Sequence, residues 1–423
     1  MKYHFLRISA TKTALFTALI CLCSITLKAQ HGVIDETISA DVCVYGASGP
    51  GIAAATAAAR DGNSVVIIEP CHKIGGLLGS GFRMEQDVPY SDHLGGLTGE
   101  FYKRDLTYPK LRHMQGAGKY NIASLQGMLD EYKNLIKVIV DHRVASVKLS
   151  KGRIREAIFE FAPPGKDGVP VPKRSSDNLL KVNAKIYIDA SYEGDLMAYS
   201  GVSYRVGKES RAQYGESLAG EVLGKTFPGV DPYVEEGNPA SGVLSCISRE
   251  PLGKEGDSSR YFMGYNFKLS WESHPTAEFP GILITPPEHK DKAVYELLRR
   301  YTKAGYPFSW PNENFNRDEL MTGALPGMQL NYPDGNWEVR AKVWRGFIDH
   351  VKTLTDFSGK EVRLLSGINE DTDGWPFLYI RGGRRMVGEY VMTQQDIQLQ
   401  TDPPTQIGLG YYKIDIYPNR LLL

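Results

Sequence analysis

A short stretch near the start of the chain has the residue types and the spacing that a dinucleotide-binding site needs. An apolar run is followed by the sequence GASGPG at residues 46–51, then by an alanine-rich stretch, a second apolar run and Glu69. Gly46 permits a sharp turn, the small side chain of Ser48 lets a pyrophosphate approach the backbone, and Gly51 lets a helix pack closely on a sheet. Glu69 is placed to accept hydrogen bonds from ribose hydroxyl groups.

The turn departs from the usual pattern G-x-G-x-x-G at one position, where Ser48 replaces the second glycine. Serine is small enough to preserve the approach of a phosphate, and Gly49 and Pro50 lead into a helix. The free N–H groups and the positive dipole end of that helix favour a phosphate. The alternative is an ordinary strand, turn and helix without a ligand, because a glycine fingerprint alone is weakly specific. The apolar strand before the turn and Glu69 after the second strand favour the dinucleotide site.

Two later segments also carry residues that suit a cofactor. Residues 75–81, which begin with Gly75 and Gly76, are too rich in glycine for the interior of a helix or strand, so we expect a loop that lies against a ligand. Asp195 follows a strand and begins a helix, where backbone donors beside it would help to grip a ribityl hydroxyl or the water shell of a pyrophosphate. The alternative for Asp195 is ordinary helix capping, which needs no cofactor.

Candidates for substrate binding and proton transfer are present, but their spacing selects none of them. Three arginines could clamp a carboxylate, a phosphate or a sugar acid, or could belong to a surface turn before a solvated helix: Arg381, Arg384 and Arg385. Four histidines are candidate bases: His93, His113, His142 and His274. A lone histidine is more often a structural residue, so the sequence identifies no catalytic residue.

Strands and helices that alternate along the chain must position these residues, and this order predicts an α/β fold. After the first strand, helix and strand, the sequence predicts a helix from Leu97, a helix over 124–136, one or two strands over 136–149, an exposed loop over 161–177 and a strand ending near Asp189. Residues 205–345 carry scattered aromatic residues and prolines, with helical spacing at 296–301 and 337–354. We interpret this region as an inserted substrate domain, and the aromatic side chains of these two stretches as core residues rather than groups that stack on a ligand.

Composition limits the classes of partner. The 423 residues include 49 basic and 49 acidic side chains and are 42% apolar, as expected of a large globular protein with two or three domains. Zero net charge, without a basic run among aromatics, argues against nucleic acid, so a small molecule or a carbohydrate is the expected partner. Beyond the first thirty residues the cysteines are Cys43, Cys71 and Cys246, and their spacing fits neither a metal site nor a C-x-x-C pair. No metal site is predicted.

Residues 1–29 are predicted to be a secretory signal peptide. Three basic residues precede an apolar stretch over 13–27, and cleavage is expected near Ala29. A membrane anchor would need about 20 apolar residues, which is more than this stretch has. Lipid attachment at Cys21 or Cys23 is disfavoured, because neither follows the small residue that such processing prefers. The sequence therefore predicts an exported protein, periplasmic or extracellular, with no stable membrane span after cleavage.

In four segments taken in order, the chain resembles the family of FAD-dependent oxidoreductases that occur as secreted bacterial proteins and are often labelled xanthan lyase. The likeness rests on residues 46–69, 75–102, 189–210 and 375–396, and it extends from about residue 38 to the end. The resemblance implies a Rossmann-like FAD-binding domain, with the FAD/NAD(P)-binding fold of the glutathione-reductase type, over 38–205. It also implies an inserted α+β substrate domain over 206–370 and a partial return to the FAD-binding domain over 371–423.

The resemblance implies FAD rather than NAD as the cofactor. It places the pyrophosphate at Gly46 to Gly51, the adenosine ribose on Glu69, and the ribityl and flavin part near Gly75, Gly76 and Asp195. The backbone of Val144 would then touch the adenine. No second fingerprint is present for a nicotinamide, which argues against a reductase supplied by NAD(P)H.

The reaction that the resemblance implies is oxidation of a CH–OH or similar group of a sugar or other polar small molecule, by hydride transfer to the flavin. Family members usually continue to a glycine-containing segment that returns to the nucleotide domain, whereas this chain ends at Leu423. We therefore expect a C-terminally truncated protein with weakened flavin binding, unless a neighbouring chain supplies that segment. The alternatives are a xanthan-type polysaccharide lyase that acts by β-elimination and a truncated flavoprotein without activity.

Overall fold

A mixed six-stranded sheet forms the centre of the amino-terminal half. The computed structural model describes residues 32–81, 94–105, 117–251, 253–311, 323–325, 327–401, 414, 416 and 420–422, so the predicted signal peptide lies outside the described residues. The strands of the sheet are β1 (Val33–Tyr45), β2 (Val65–Ile68), β3 (Ile136–Ile139), β4 (His142–Ser150), β5 (Arg153–Phe161) and β6 (Asn178–Asp189). Their order is β3-β2-β1-β6-β5-β4. β1 is parallel to β2 and β6, and β2 to β3, whereas β5 is antiparallel to β4 and β6.

Both faces of the sheet are covered at the carboxyl end of β1, because the side chains there alternate between two buried clusters. Val42 and Val44 pack on one face with the helices, and Cys43 and Tyr45 pack on the other face with β4, β5 and β6. A strand that is buried on both faces reads as a continuous apolar run, which is the pattern that precedes the glycine turn. Within the described residues, the helices of this half are α1 (Gly49–Arg60), α2 (Gly76–Gly79), α3 (Gly96–Asp105), α4 (Ala117–Asp130) and α5 (Asp195–Tyr199).

The second half of the chain builds its own apolar cluster. That cluster contains the buried aromatic residues Tyr301, Trp344 and Phe347, which lie in the two stretches where the sequence predicted core aromatics. Its described helices are α6 (Arg211–Tyr214), α7 (Lys292–Lys303), α8 (Trp337–Ser358) and α9 (Gln394–Ile397). Its short strands pair as β7 (Tyr204–Arg205) with β13 (Arg385–Met386), β8 (Leu223–Thr226) with β14 (Arg420–Leu422), β9 (Asn266–Phe267) with β12 (Leu378–Tyr379), and β10 (Ile282–Leu283) with β11 (Arg363–Leu364).

Helix α8 brings residues of the second half of the chain to the edge of the first half. Asn336 caps its start, because the Asn336 side chain accepts a hydrogen bond from the Val339 N–H at 2.9 Å. A left-handed Gly359 ends it. The first turns of α8 carry Trp337 and Arg340, and both side chains matter for the site described below.

The structure confirms the predicted α/β fold and corrects two predicted elements. The helix predicted over 124–136 ends at Asp130, because Ile136 pairs with Val65 in the sheet and begins β3. The loop predicted over 75–81 contains the single helical turn α2, so that prediction was wrong. A left-handed Gly75 starts this turn, and the absence of a side chain on Gly79 lets it pack against the carbonyl of Ile74. The domain boundaries at 205 and 370 stay predictions.

Candidate functional site

The glycine-rich turn lies at the point where the strand order of the sheet reverses. From β1 the chain crosses to β2 and β3 on one side, whereas β6 lies on the other side of β1. The crevice at the carboxyl ends of two such strands is where open α/β sheets bind ligands. Ser48 spans this crevice, because its hydroxyl donates a hydrogen bond to the carbonyl oxygen of Ala190 at 2.7 Å. The turn and the end of β6 therefore form one site.

Close packing explains why glycines occupy this turn. Gly46 has φ of 99°, and a Cβ on it would lie 2.8 Å from the backbone nitrogen of Ser191. A Cβ on Gly51 would overlap the carbonyl oxygen of Gly46. Gly49 begins α1, Pro50 lies in its first turn, and the Ser48 hydroxyl accepts from the Gly51 N–H at 3.3 Å. Serine therefore replaces the usual glycine by acting as the helix cap.

Glu69 lies at the carboxyl end of β2 and is held beside the turn. Its side chain is almost fully buried, and its carboxylate accepts hydrogen bonds from the N–H groups of Ala47 at 2.6 Å and Cys71 at 2.8 Å. Burial raises the pKa of Glu69 to about 7, although both N–H groups act in the opposite direction. The carboxylate therefore has a defined position where a cofactor ribose is expected.

A crevice, which we call the cavity, opens at this edge of the sheet. Gly76 lines it with φ of 50°, and a Cβ there would meet the ring of Tyr192, whose hydroxyl accepts from the Leu77 N–H at 3.0 Å. The second half of the chain also contributes to the wall. The lining includes Gly46, Ser48, Glu69, Arg143, Glu193 and Trp337.

Val144 lies beside the cavity rather than in its lining. It is buried in β4, and its backbone N–H donates to the hydroxyl of Tyr45 at 3.4 Å. The side chain of the preceding residue, Arg143, lines the cavity instead. The predicted contact between Val144 and an adenine stays a prediction.

Asp195 is the first residue of α5 and is buried between two arginines. Its carboxylate makes a two-fold ion pair with Arg340, at 2.5 and 2.7 Å, and a second ion pair with Arg384 at 2.6 Å. Burial opposes ionisation, but the two guanidinium groups outweigh it and lower the pKa of Asp195. Asp189, not Asp195, accepts the N–H of Met197 in the first turn of α5. A contact between Asp195 and the cofactor stays a prediction.

The three late arginines do not act as one clamp in this structure. Arg384 pairs with Asp195 and, at 3.0 Å, with Asp334, and its side chain is only 8% exposed. Arg385 pairs with both carboxylate oxygens of Glu209 at 2.8 Å, and Arg381 lies over the ring of Tyr379. The interpretation as a surface turn was therefore wrong for Arg384, because distant residues bury it.

None of the described histidines lines the cavity. His142 lies with its Nδ1 2.8 Å from the Val140 carbonyl oxygen, and His274 is exposed beside Ser273. His93 and His113 lie outside the described residues.

Glu193 is an acidic residue of the cavity that sequence reasoning missed. Its Oε1 accepts a hydrogen bond from the Tyr332 hydroxyl at 3.2 Å, and burial raises its pKa to about 7. Its position offered a signal. Glu193 comes shortly after β6 ends at Asp189, and Glu69 comes directly after β2, so both lie at the carboxyl edge of the sheet.

Across the described ranges, no helix is both long enough and apolar enough to cross a membrane.

Comparison with known proteins gives a family over nearly all of the described chain. A family model for FAD dependent oxidoreductase matches residues 41–421. No curated protein matches the sequence.

Comparison with solved structures gives several partial matches. L-proline dehydrogenase from P. horikoshii is 13% identical, with 45% of this chain and 27% of that chain covered and a TM-score of 0.23. The FAD complex of glycerol-3-phosphate dehydrogenase from Bacillus halodurans is 11% identical, with 42% and 41% covered and a TM-score of 0.28. The 3-ketosteroid-delta4-(5alpha)-dehydrogenase from Rhodococcus jostii, in complex with 4-androstene-3,17-dione, is 13% identical, with 41% and 49% covered and a TM-score of 0.25. This chain spans less than half of each of these proteins.

Proposed function

Because the chain belongs to the family of FAD-dependent oxidoreductases, we propose that it oxidises a CH–OH or similar group of a sugar or another polar small molecule. One observation carries the proposal: the glycine turn after β1 meets the end of β6 across the switch point, with Glu69 fixed beside it. The pattern of residues 1–29 supports the further proposal that the protein acts after export, in the periplasm or outside the cell.

The residues at the switch point fit FAD. The turn leaves no room for a Cβ at Gly46 or Gly51. Only glycine at these two positions lets the backbone turn this tightly at the end of β1. In our proposal Gly46 to Gly51 hold the pyrophosphate, and Glu69 accepts hydrogen bonds from the hydroxyl groups of the adenosine ribose. Gly75, Gly76 and Asp195 are proposed to lie along the ribityl and flavin part.

Glu193 is our candidate for the residue that takes the substrate proton. FAD, when bound, supplies the hydride acceptor, and the protein supplies position and electrostatics. A carboxyl group with a pKa of about 7 exists in both protonation states near neutral pH, so Glu193 can accept a hydroxyl proton and release it afterwards. The Tyr332 hydroxyl donates to Glu193 and so restricts its orientation.

A visible spectrum followed by a substrate panel tests the proposed function. The purified chain, reconstituted with FAD, should retain a yellow flavin band after gel filtration. Anaerobic addition of sugars and polyols should bleach that band with at least one compound. A protein that stays colourless after reconstitution, or that releases unsaturated products from a uronic polysaccharide, would contradict the proposal.

Replacing Glu193 tests the proton-transfer role. Glu193→Gln keeps the shape of the side chain but removes the base, so the rate of flavin reduction by an active substrate should fall by about 10²–10⁴-fold. The FAD content of the variant should match that of the wild type in absorbance measurements. Glu278→Gln, an exposed residue, is the matched control and should leave the rate unchanged. Equal rates for Glu193→Gln and the wild type would remove Glu193 from the mechanism.

A further inference from the structure

We propose that Arg143, positioned by Trp337 and Glu160, binds the adenosine end of the cofactor and makes the site selective for FAD over FMN. This inference rests on the proposed placement of FAD in the cavity. It concerns a side chain that the sequence did not single out, and it extends the site to a helix in the second half of the chain.

Arg143 lies directly next to the residue that is proposed to bind the adenosine ribose. The His142 N–H donates to the backbone carbonyl of Glu69 at 3.0 Å, and the Asp141 N–H donates to the carbonyl of Cys71 at 3.2 Å. These hydrogen bonds join the start of β4 to the end of β2. Glu69 and Arg143 therefore line the same cavity from joined segments, and the group that follows the ribose in the cofactor is adenine.

The guanidinium group of Arg143 is held in one orientation. Its side chain is only 3% exposed, Nε donates to Glu160 Oε1 at 2.7 Å, and Nη1 donates to the carbonyl of Val171 at 2.5 Å. The ring of Trp337 lies against the guanidinium, with its centroid 4.4 Å from Cζ. A guanidinium has five N–H donors, so these two hydrogen bonds leave it able to donate to a ligand.

This environment favours an adenine over a second phosphate group. Glu160 already balances the charge of Arg143, which reduces its attraction for a phosphate. A planar guanidinium also stacks on aromatic rings and donates to ring nitrogens, and adenine offers both an aromatic face and nitrogen acceptors. FMN has the flavin and one phosphate but no adenosine, so it cannot use Arg143 in this way.

Trp337 is a positioning residue in this proposal. It lies at the first turn of α8, and its ring also contacts the guanidinium of Arg340, at 4.7 Å from Cζ to the centroid. Arg340 is paired with buried Asp195 and Arg143 with Glu160, so the Trp337 ring contacts two guanidinium groups that are each held in place. Loss of the ring would free Arg143 to change orientation while its charge remained.

Binding of FAD and FMN to the full chain, stripped of cofactor, tests the proposal. Dissociation constants are measured from flavin absorbance after ultrafiltration, and ADP serves as a competitor. The wild type should bind FAD at least tenfold more tightly than FMN. Arg143→Met should raise the dissociation constant for FAD at least tenfold and change the dissociation constant for FMN by less than twofold. It should also abolish competition by ADP.

Further variants separate positioning from folding. Trp337→Leu should raise the FAD constant by a smaller factor than Arg143→Met, and Trp337→Phe should restore most of the affinity. Arg363→Met removes a partly exposed arginine elsewhere in the second half and should leave both constants unchanged. If circular dichroism shows that Arg143→Met does not fold, Arg143→Lys replaces it, because lysine keeps the charge but loses the stacking.

The outcomes distinguish this inference from the proposed function. If the wild type binds FAD but Arg143→Met keeps the wild-type ratio of FAD to FMN affinity, the inference fails and the proposed function stands. An equal loss of affinity for FAD and FMN would place Arg143 on the shared phosphate and would also overturn the inference. If the wild type binds neither flavin, both proposals fail.

Discussion

Two buried carboxyl groups share the cavity, and their ionisation depends on what surrounds them. Burial raises the pKa of both Glu69 and Glu193 to about 7. The negative charge of Glu193 also raises the pKa of Glu69, and that of Asp195 also raises the pKa of Glu193. Glu69 has two backbone N–H partners, whereas Glu193 has the Tyr332 hydroxyl. At residue scale the site is therefore most sensitive to pH between the ordinary glutamate range and neutrality.

The stability of the cofactor-free protein should fall as pH rises from about 5 to 7. A carboxyl group with a raised pKa binds more protons in the folded than in the unfolded chain over this range, so folding is favoured on the acid side. Glu69→Gln and Glu193→Gln should each flatten the dependence of the urea midpoint on pH, and exposed Glu278→Gln should not. A wild-type slope retained in both cavity variants would show that other groups dominate.

At the scale of elements, the strand β1, the turn and helix α1 form a unit that depends on close backbone contact. Gly51 packs against the carbonyl of Gly46, and the Ser48 hydroxyl both caps α1 and bonds to the segment after β6. The end of β1 and the end of β6 thus keep a fixed separation. This geometry, more than any single charged residue, makes the site suitable for a pyrophosphate.

Gly51→Ala should abolish FAD binding. The added methyl group would overlap the Gly46 carbonyl and would push α1 away from the turn. Retention of flavin absorbance after gel filtration provides the measurement. Gly95→Ala is the control, since a Cβ at Gly95 meets no described atom within 4 Å and should leave the flavin content unchanged. A yellow Gly51→Ala protein would show that the turn can open without loss of the cofactor.

At the scale of the whole molecule, a buried charge cluster joins the two halves of the chain. Asp195 of α5 pairs with Arg340 of α8 and with Arg384 near β13. A second connection runs from Lys73, which pairs with Asp371 at 2.8 Å. Because these contacts link segments far apart in sequence, they hold the cavity wall that α8 supplies against the sheet.

Breaking the cluster at α8 should destabilise the fold. Arg340→Met leaves Asp195 buried with one partner fewer, and loss of a partner from a buried ion pair lowers the free energy of unfolding by about 3 kcal/mol. Urea unfolding followed by circular dichroism measures the change. Arg299→Met removes exposed ion pairs on α7 and should have a much smaller effect. A loss for Arg340→Met no larger than that of the control would contradict the role of the cluster.

Local spacing in the sequence was sufficient for the strand, turn and helix of residues 41–60, for the second strand before Glu69 and for the α/β class. Each depends on residues close together in the chain: a period-two or buried apolar run, glycines where no Cβ fits, and a polar cap. Together with the family resemblance, the same spacing pointed to FAD, which the family match supports. The helical turn at Gly76–Gly79 was missed because a glycine-rich segment has weak local preferences of its own.

Only the tertiary structure decided the surroundings of Asp195, Arg143 and Glu193. Arg340 and Arg384 reach Asp195, Trp337 reaches Arg143, and Tyr332 reaches Glu193 across long stretches of chain. Sequence spacing carries no information about such pairs, because they form only when separate elements pack and remove water from between them. The sequence by itself thus determined the turn and the class of its ligand, whereas packing of the second half determined which charged groups meet the cavity and which neutralise one another.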